Sequence, residues 1–141
     1  MNILLAVDGS ENSYRAAEKA LEFAMGCQAR ITVISVLSQF VPSLLELSKE
    51  KFYEKLVESH KRYNEGVLGK YKKFFKDNNV EVAILPKFGS PAEEICKEAE
   101  KGNYSFLIIG SRGLSNVKRA IMGSVSYNVI QTIEIPVMIV K

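Results

Sequence analysis

The sequence has no uninterrupted apolar stretch approaching the roughly 18 residues that suggest a membrane helix. Its first apolar run, Ile3 to Val7, is short, lacks a basic leader and is interrupted by Asp8, so it does not read as a signal peptide. A soluble, cytoplasmic chain is expected. Cysteine is scarce as well: Cys27 and Cys96 lie far apart, with no C-x-x-C pair and no companion histidine cluster. That argues against a metal site or redox motif and suits a reducing compartment. The lone histidine, His60, falls in a charged helical stretch and reads as a surface residue. No acid–base pair, catalytic triad or carboxylate metal cluster suggests fast hydrolysis, and no catalytic or metal-ligating residue is assigned. Nor is charge one-sided. Nineteen Lys and Arg against sixteen Asp and Glu leave +3 without a long run of like charge, which argues against a dedicated nucleic-acid binder.

What is present is ordinary globular composition, 47% hydrophobic and 25% charged, which excludes a disordered chain or a disulfide scaffold. The length of 141 residues suits one domain, 1–141, with a real core. Runs rich in Val and Ile at 2–8, 31–37, 80–85, 105–109 and 137–140 mostly lack apolar–polar alternation and read as strands buried on both faces. Helical patterns lie between them, so an α/β fold with a parallel sheet covered on both sides is predicted.

The first helix should begin near Glu11 to Ser13, pack through Ala16, Ala17, Ala20, Leu21 and Ala24, and stop at a left-handed Gly26. A longer helix is predicted over about 48–78, with Phe52, Leu56, Tyr63, Val67, Tyr71 and Phe74 as its apolar stripe. Ser90 reads as the N-cap of the next, with Pro91 at its first position and Glu93 and Glu94 near its positive end. A last helix should start at the Gly123-Ser124 turn and run to about Ile133.

The richest stretch is Gly110 to Ser124, GSRGLSNVKRAIMGS, which follows the apolar run Ser105 to Ile109. A strand running into a glycine-rich loop and then a helix leaves backbone N–H groups free to point at an anion, and glycine lets a phosphate approach closely. Neither the G-x-x-x-x-G-K-S/T loop nor the dinucleotide fingerprint G-x-G-x-x-G is present. The spacing is instead Gly110, two residues, Gly113, nine residues, Gly123 and Ser124.

This pattern resembles that of the nucleotide-binding members of the universal stress protein family. The likeness extends to Ile3-Leu-Leu-Ala-Val-Asp-Gly-Ser10, to Gly89-Ser-Pro-Ala-Glu-Glu-Ile95 and to Ile135-Pro-Val-Met-Ile-Val140, spanning essentially the whole chain. The resemblance implies an open five-stranded parallel sheet of order 3-2-1-4-5, Rossmann-like, with the ligand crevice where the order reverses. It implies that Asp8 contacts the adenosine of a bound ATP and that Val36 walls the adenine. The same residues also read as a turn-capping aspartate and a buried strand valine. Where many relatives have a histidine, this chain has Ser35.

In the loop, Gly110, Gly113 and Gly123 form the expected phosphate cradle. Ser124 and Val125 are expected to supply backbone amides and a hydroxyl, and Ser126 a second hydroxyl. Arg112 is a candidate phosphate ligand as well as a candidate solvated cation, and Lys118 and Arg119 read more simply as solvated surface. Any Mg2+ or Mn2+ is expected to arrive with the triphosphate. The resemblance further implies a homodimer through the edge strand Val137, Met138 and Ile139, and a regulatory or stress-tolerance role. Two rivals stand beside it. One is an interaction protein that binds no nucleotide, although the glycine loop is kept. The other is an adenylating enzyme of a related class, although Val7-Asp-Gly-Ser-Glu-Asn12 departs from the S-G-G-x-D-S such enzymes carry.

Overall fold

The computed structural model describes residues 1–38, 49–114 and 122–141, with the backbone alone described for His60 and Asn64. Five parallel strands form one sheet of order β3-β2-β1-β4-β5, the order the resemblance implies. They are β1 (Asn2–Ala6), β2 (Arg30–Leu37), β3 (Val82–Phe88), β4 (Phe106–Gly110) and β5 (Val137–Val140). In β1, Ile3, Leu4 and Leu5 are all 0% exposed, so successive side chains are buried on opposite faces and no polar alternation is tolerated.

On one face, Ile3, Leu5, Val33 and Ile108 meet the small residues Ala16, Ala17, Ala20 and Ala24 of helix α1 (Glu11–Cys27). On the other, Leu4, Ala6, Ile34 and Leu107 meet Ile95, Cys96 and Ala99 of a helix at Pro91–Lys101 and Val129 of one at Ser124–Thr132. Burial pushes the Cys96 thiol pKa up, with Glu100 adding to the effect, so it packs as a small apolar group rather than a nucleophile.

The predicted helix over 48–78 is broken in register. It consists of α2 (Lys49–Tyr63), a π-helical turn (Asn64–Leu68) and α3 (Gly69–Asp77) in unbroken succession. A π turn is rare and makes poorer backbone bonds than an α turn, so packing must hold it. Here the packing is visible: Leu68, Tyr71 and Phe75 are fully buried against the sheet at i, i+3 and i+7. Leu68 and Phe75 lie off the stripe expected for a regular helix, because the wide turn rotates the face that α3 presents.

Other boundaries moved for local reasons. Gly26 stays inside α1, and Gln28 takes the left-handed position at φ 50°, donating its N–H to the Ala24 carbonyl. The chain turns there because Ala29 must enter the core beside β2. β1 ends at Ala6, although the Val7 N–H still reaches the Ile34 carbonyl. β3 begins later than expected and runs through Pro86, which an edge strand accommodates because its outer N–H needs no partner.

The helix at Pro91–Lys101, α4, has Ser90 at its N-cap position, but the Ser90 side chain makes no capping bond there. The helix at Ser124–Thr132, α5, starts where the sequence placed it.

An exposed glutamine held left-handed is costly relative to glycine. Gln28→Gly should therefore raise the stability of the chain by about 0.5–1 kcal/mol, read as a higher urea midpoint with an unchanged slope.

Candidate functional site

The strand order reverses between β1 and β4, and ligands of open α/β sheets bind outside the carboxyl ends of the strands at such a point. Asp8 lies two residues past the end of β1, and Gly110 closes β4. Between them opens a cavity of about 510 Å³, within the range of small-molecule sites.

Asp8 is fixed by the turn it starts. One carboxylate oxygen accepts the Ser10 N–H at 2.9 Å, Gly9 follows at φ 81°, and Ser10 caps α1 by accepting the Ser13 N–H at 3.3 Å. The sequence offered Asp8 as either a turn-forming or a ligand-facing carboxylate; the turn bond is made, and Asp8 still lines the cavity. Val36 lines it too, half-buried at the end of β2.

Ser35 points the opposite way, into the core, and donates to the Val7 carbonyl at 2.7 Å. Its oxygen in turn accepts from the Tyr63 hydroxyl, whose proton has no other use once Ser35 has donated its own. Burial pushes the Tyr63 phenol pKa up, and the nearby Asp8 charge adds to the rise.

The glycines of the loop do different work. A Cβ at Gly110 would sit 2.9 Å from the backbone carbon of Asn12, so glycine there lets β4 pass under the start of α1. A Cβ at Gly113 would sit 2.5 Å from the second carboxylate oxygen of Asp8, so the two halves of the site touch. Gly123 is different again. Its φ of −71° and ψ of 157° suit any residue, and a Cβ would meet no described atom closer than 3.4 Å. Neither its conformation nor the described protein around it requires glycine, so the left-handed or strained turn that glycine often signals is not its role.

Gly123 occupies the N-cap of α5 and offers no side chain to cap it. Its own N–H donates to the Ser111 carbonyl at 2.7 Å, which ties the helix start back to the end of β4. Ser124 is exposed, Val125 half-buried and Ser126 buried at 4%, and all three line the cavity. The Ser126 hydroxyl donates to the Gly110 carbonyl at 2.7 Å, which staples α5 to β4.

Arg112 is exposed at the rim, and its carbonyl is 3.5 Å from the Ser10 hydroxyl. Lys118 and Arg119 lie outside the described residues, as does the His60 side chain. Tyr63, Leu37, Ser38, Pro91 and Ile95 also line the cavity and were not foreseen as site residues. Tyr63 carried a signal only as part of a helical apolar stripe, which looks the same whether its face meets core or ligand.

An α/β sheet with a crevice at its switch point, a strand-end carboxylate on one side and an uncapped helix start on the other defines a domain of the Rossmann-like class. The chain matches the model of the Universal stress protein family over residues 1–141 and belongs to that family. It is 30% identical over 144 residues to universal stress protein YxiE of Bacillus subtilis, covering 99% of this chain and 97% of that protein.

Among solved structures, one titled a structure-based assignment of the biochemical function of hypothetical protein MJ0577 is similar at a TM-score of 0.84 and 28% identity, covering 99% of this chain and 94% of that one. Two more distant neighbours share the fold. A universal stress protein family protein of Arabidopsis thaliana, with AMP bound, has a TM-score of 0.71 and 24% identity, covering 100% of this chain and 91% of its own. The universal stress protein of Archaeoglobus fulgidus, in complex with dAMP, has 0.68 and 20%, covering 100% and 98%. No helix among the described residues is long and apolar enough to cross a membrane.

The close-packed Gly110 and the open Gly123 separate experimentally. Gly110→Ala should cost about 1–3 kcal/mol, as overpacking against backbone does. Gly123→Ala should stay within about 0.5 kcal/mol of the parent. Urea denaturation of both variants checks the contrast.

Proposed function

We propose that the cavity binds an adenine nucleotide, with ATP as the ligand, and that the chain works as a nucleotide-dependent regulatory or stress-tolerance module. The observation that carries this reading is the uncapped start of α5 facing, across one cavity of about 510 Å³, the carboxylate of Asp8. The free N–H groups of Ser124, Val125 and Ser126, with the positive end of the helix dipole, suit phosphate oxygens. Asp8 can accept from hydroxyl or amino donors of the nucleoside, and Val36 offers an apolar wall for the base. The AMP and dAMP carried by the two distant neighbours support the same ligand class.

Gly123 fits this reading because its bareness leaves room for a phosphate rather than relieving the protein. Arg112 stands at the rim within reach of the cavity mouth and would offset phosphate charge. Among the described residues, no group of three or more His, Cys, Asp or Glu is arranged to hold a metal ion. Mg2+ or Mn2+ would enter on the phosphates and keep several waters. The chain's own residues bind and orient the ligand, and ligand-biased conformation or assembly is the output.

Calorimetry with ATP and magnesium should show saturable binding. Ligand at 100 times its dissociation constant should add about 2.7 kcal/mol of stability, seen as a higher melting temperature. Gly123→Val should fold, since φ −71° and ψ 157° admit valine, yet lose affinity by roughly tenfold or more, the scale of a lost charge-assisted hydrogen bond. A folded Gly123→Val protein with unchanged ATP affinity would sink the cradle.

The proposal includes a two-fold dimer through β5. This strand is at the sheet edge, and its Pro136 and Val140 carbonyls face β4, so the alternate residues Val137 and Ile139 turn their backbone groups outward. Val137, Met138 and Ile139 are only half-buried. Sedimentation equilibrium should give the mass of a dimer at micromolar concentrations; a monomer at tens of micromolar would refute the pairing.

A further inference from the structure

The helical run around the π turn brings three side chains to one short piece of backbone, the segment Val7 to Ser13 that carries Asp8, two of them directly and Tyr63 through Ser35. Tyr63, the last residue of α2, donates its hydroxyl to Ser35, which donates to the Val7 carbonyl at 2.7 Å. Val67, inside the π turn, lies 3.3 Å from where a Gly9 Cβ would be. Tyr71, in α3, donates to the Ser13 hydroxyl at 2.7 Å, since the Ser13 proton goes to the Ser10 carbonyl. The ring of Tyr71 is fully buried and stacked on Tyr14 at 4.7 Å. Val7, Gly9 and Ser13 are thus each held from the same helical run, while Asp8 between them is left facing the cavity.

We infer that Tyr63, Val67 and Tyr71 are positioning residues for the Asp8 carboxylate, and that Tyr63, which also lines the cavity, makes the grip on the nucleoside end of a ligand depend on the register of the π turn. The ligand part of this inference rests on the nucleotide reading above; the positioning part does not. A helix held in a rare and poorer geometry needs a compensating contact, and π turns recur at functional sites. Leu68, Tyr71 and Phe75 supply the fully buried core contact; Tyr63 and Val67 pack against that core only in part, with Tyr63 also bonded to Ser35 and Val67 beside Gly9. Regular α geometry would rotate α2 relative to α3 and carry Tyr63 off Ser35. The phosphate end is held by other elements, β4 and α5, so the two ends of the ligand are positioned independently.

The experiment compares the ligand-free amide spectra and hydrogen exchange of the parent, Tyr63→Phe and Ser35→Ala chains. Both variants break the same relay. Each should shift the Gly9 and Ser10 amides and speed their exchange roughly three- to tenfold, the size of one net hydrogen bond, while α5 amides stay in place. Unchanged Gly9 and Ser10 amides in a folded Tyr63→Phe protein would overturn the positioning role.

A second arm measures affinity for ATP and for inorganic tripolyphosphate. Tyr63→Phe should weaken ATP roughly three- to tenfold and leave tripolyphosphate alone, and the loss should vanish in an Asp8→Asn background. Equal losses for both ligands, or full additivity with Asp8→Asn, would mean that Tyr63 supports the fold without setting Asp8. If the parent protein binds no ATP, the nucleotide reading falls, and the amide comparison alone decides the positioning role.

Discussion

The central strand β1 is held between β2 and β4 and is packed on by helices from both faces. Each large apolar side chain in it contributes about 1.5–3 kcal/mol when fully buried, and Ile3, Leu4 and Leu5 are wholly so. The strand therefore cannot slip or tilt without exposing one face or the other. Its end is a fixed point, and the turn that leaves it, Val7 to Ser13, is tied by Ser35 at Val7 and by Tyr71 at Ser13. Asp8 inherits that rigidity.

The opposite wall of the site is built by a different device. Gly110 lets β4 pass close to the start of α1, and the Ser126 hydroxyl and the Gly123 N–H tie α5 to the end of β4. These bonds tie the helix start without capping it, and they leave the first amides of α5 without a side-chain cap. Fixing the helix start by side bonds while keeping its axis end open is what an anion site requires. Exposed ion pairs such as Glu11–Arg15 and Glu58–Arg62 contribute little by comparison, because solvent screens them.

Regulation by a bound ligand needs an element with two arrangements of similar energy. The 49–77 run has a natural point for this in its π turn, where the helix is least favourable locally and depends most on what it touches. α2 lies beyond that turn and carries exposed Tyr53 and Val57, whereas α3 is anchored in the core. Tyr63 meets the Asp8 turn by way of Ser35 in β2 and the Val7 carbonyl, so the outer helix and the turn are joined through the end of the sheet.

Much of this was legible in the residues. Apolar runs without alternation determined buried parallel strands, because only a sheet covered on both faces accepts them. The spacing of Gly110, Gly113, Gly123 and Ser124, with Asp8 at a strand end, determined which residues would share a crevice, since strand order follows from the family pattern. Local chemistry sufficed for the starts of α1 and α5.

What only the tertiary structure decided were matters of register and direction. The π turn has no local signature: Asn64 to Leu68 reads as ordinary helix, and only the burial of Leu68, Tyr71 and Phe75 together with the reach of Tyr63 forces the extra width. Gln28 became left-handed because Ala29 had to be buried, not because glutamine prefers that conformation. Ser126 turned inward because Gly110 presented a carbonyl to it, which no spacing in the chain reveals. Composition and periodicity report which face a residue belongs to; which partner meets it there depends on elements far away in sequence, and that is settled only when they pack.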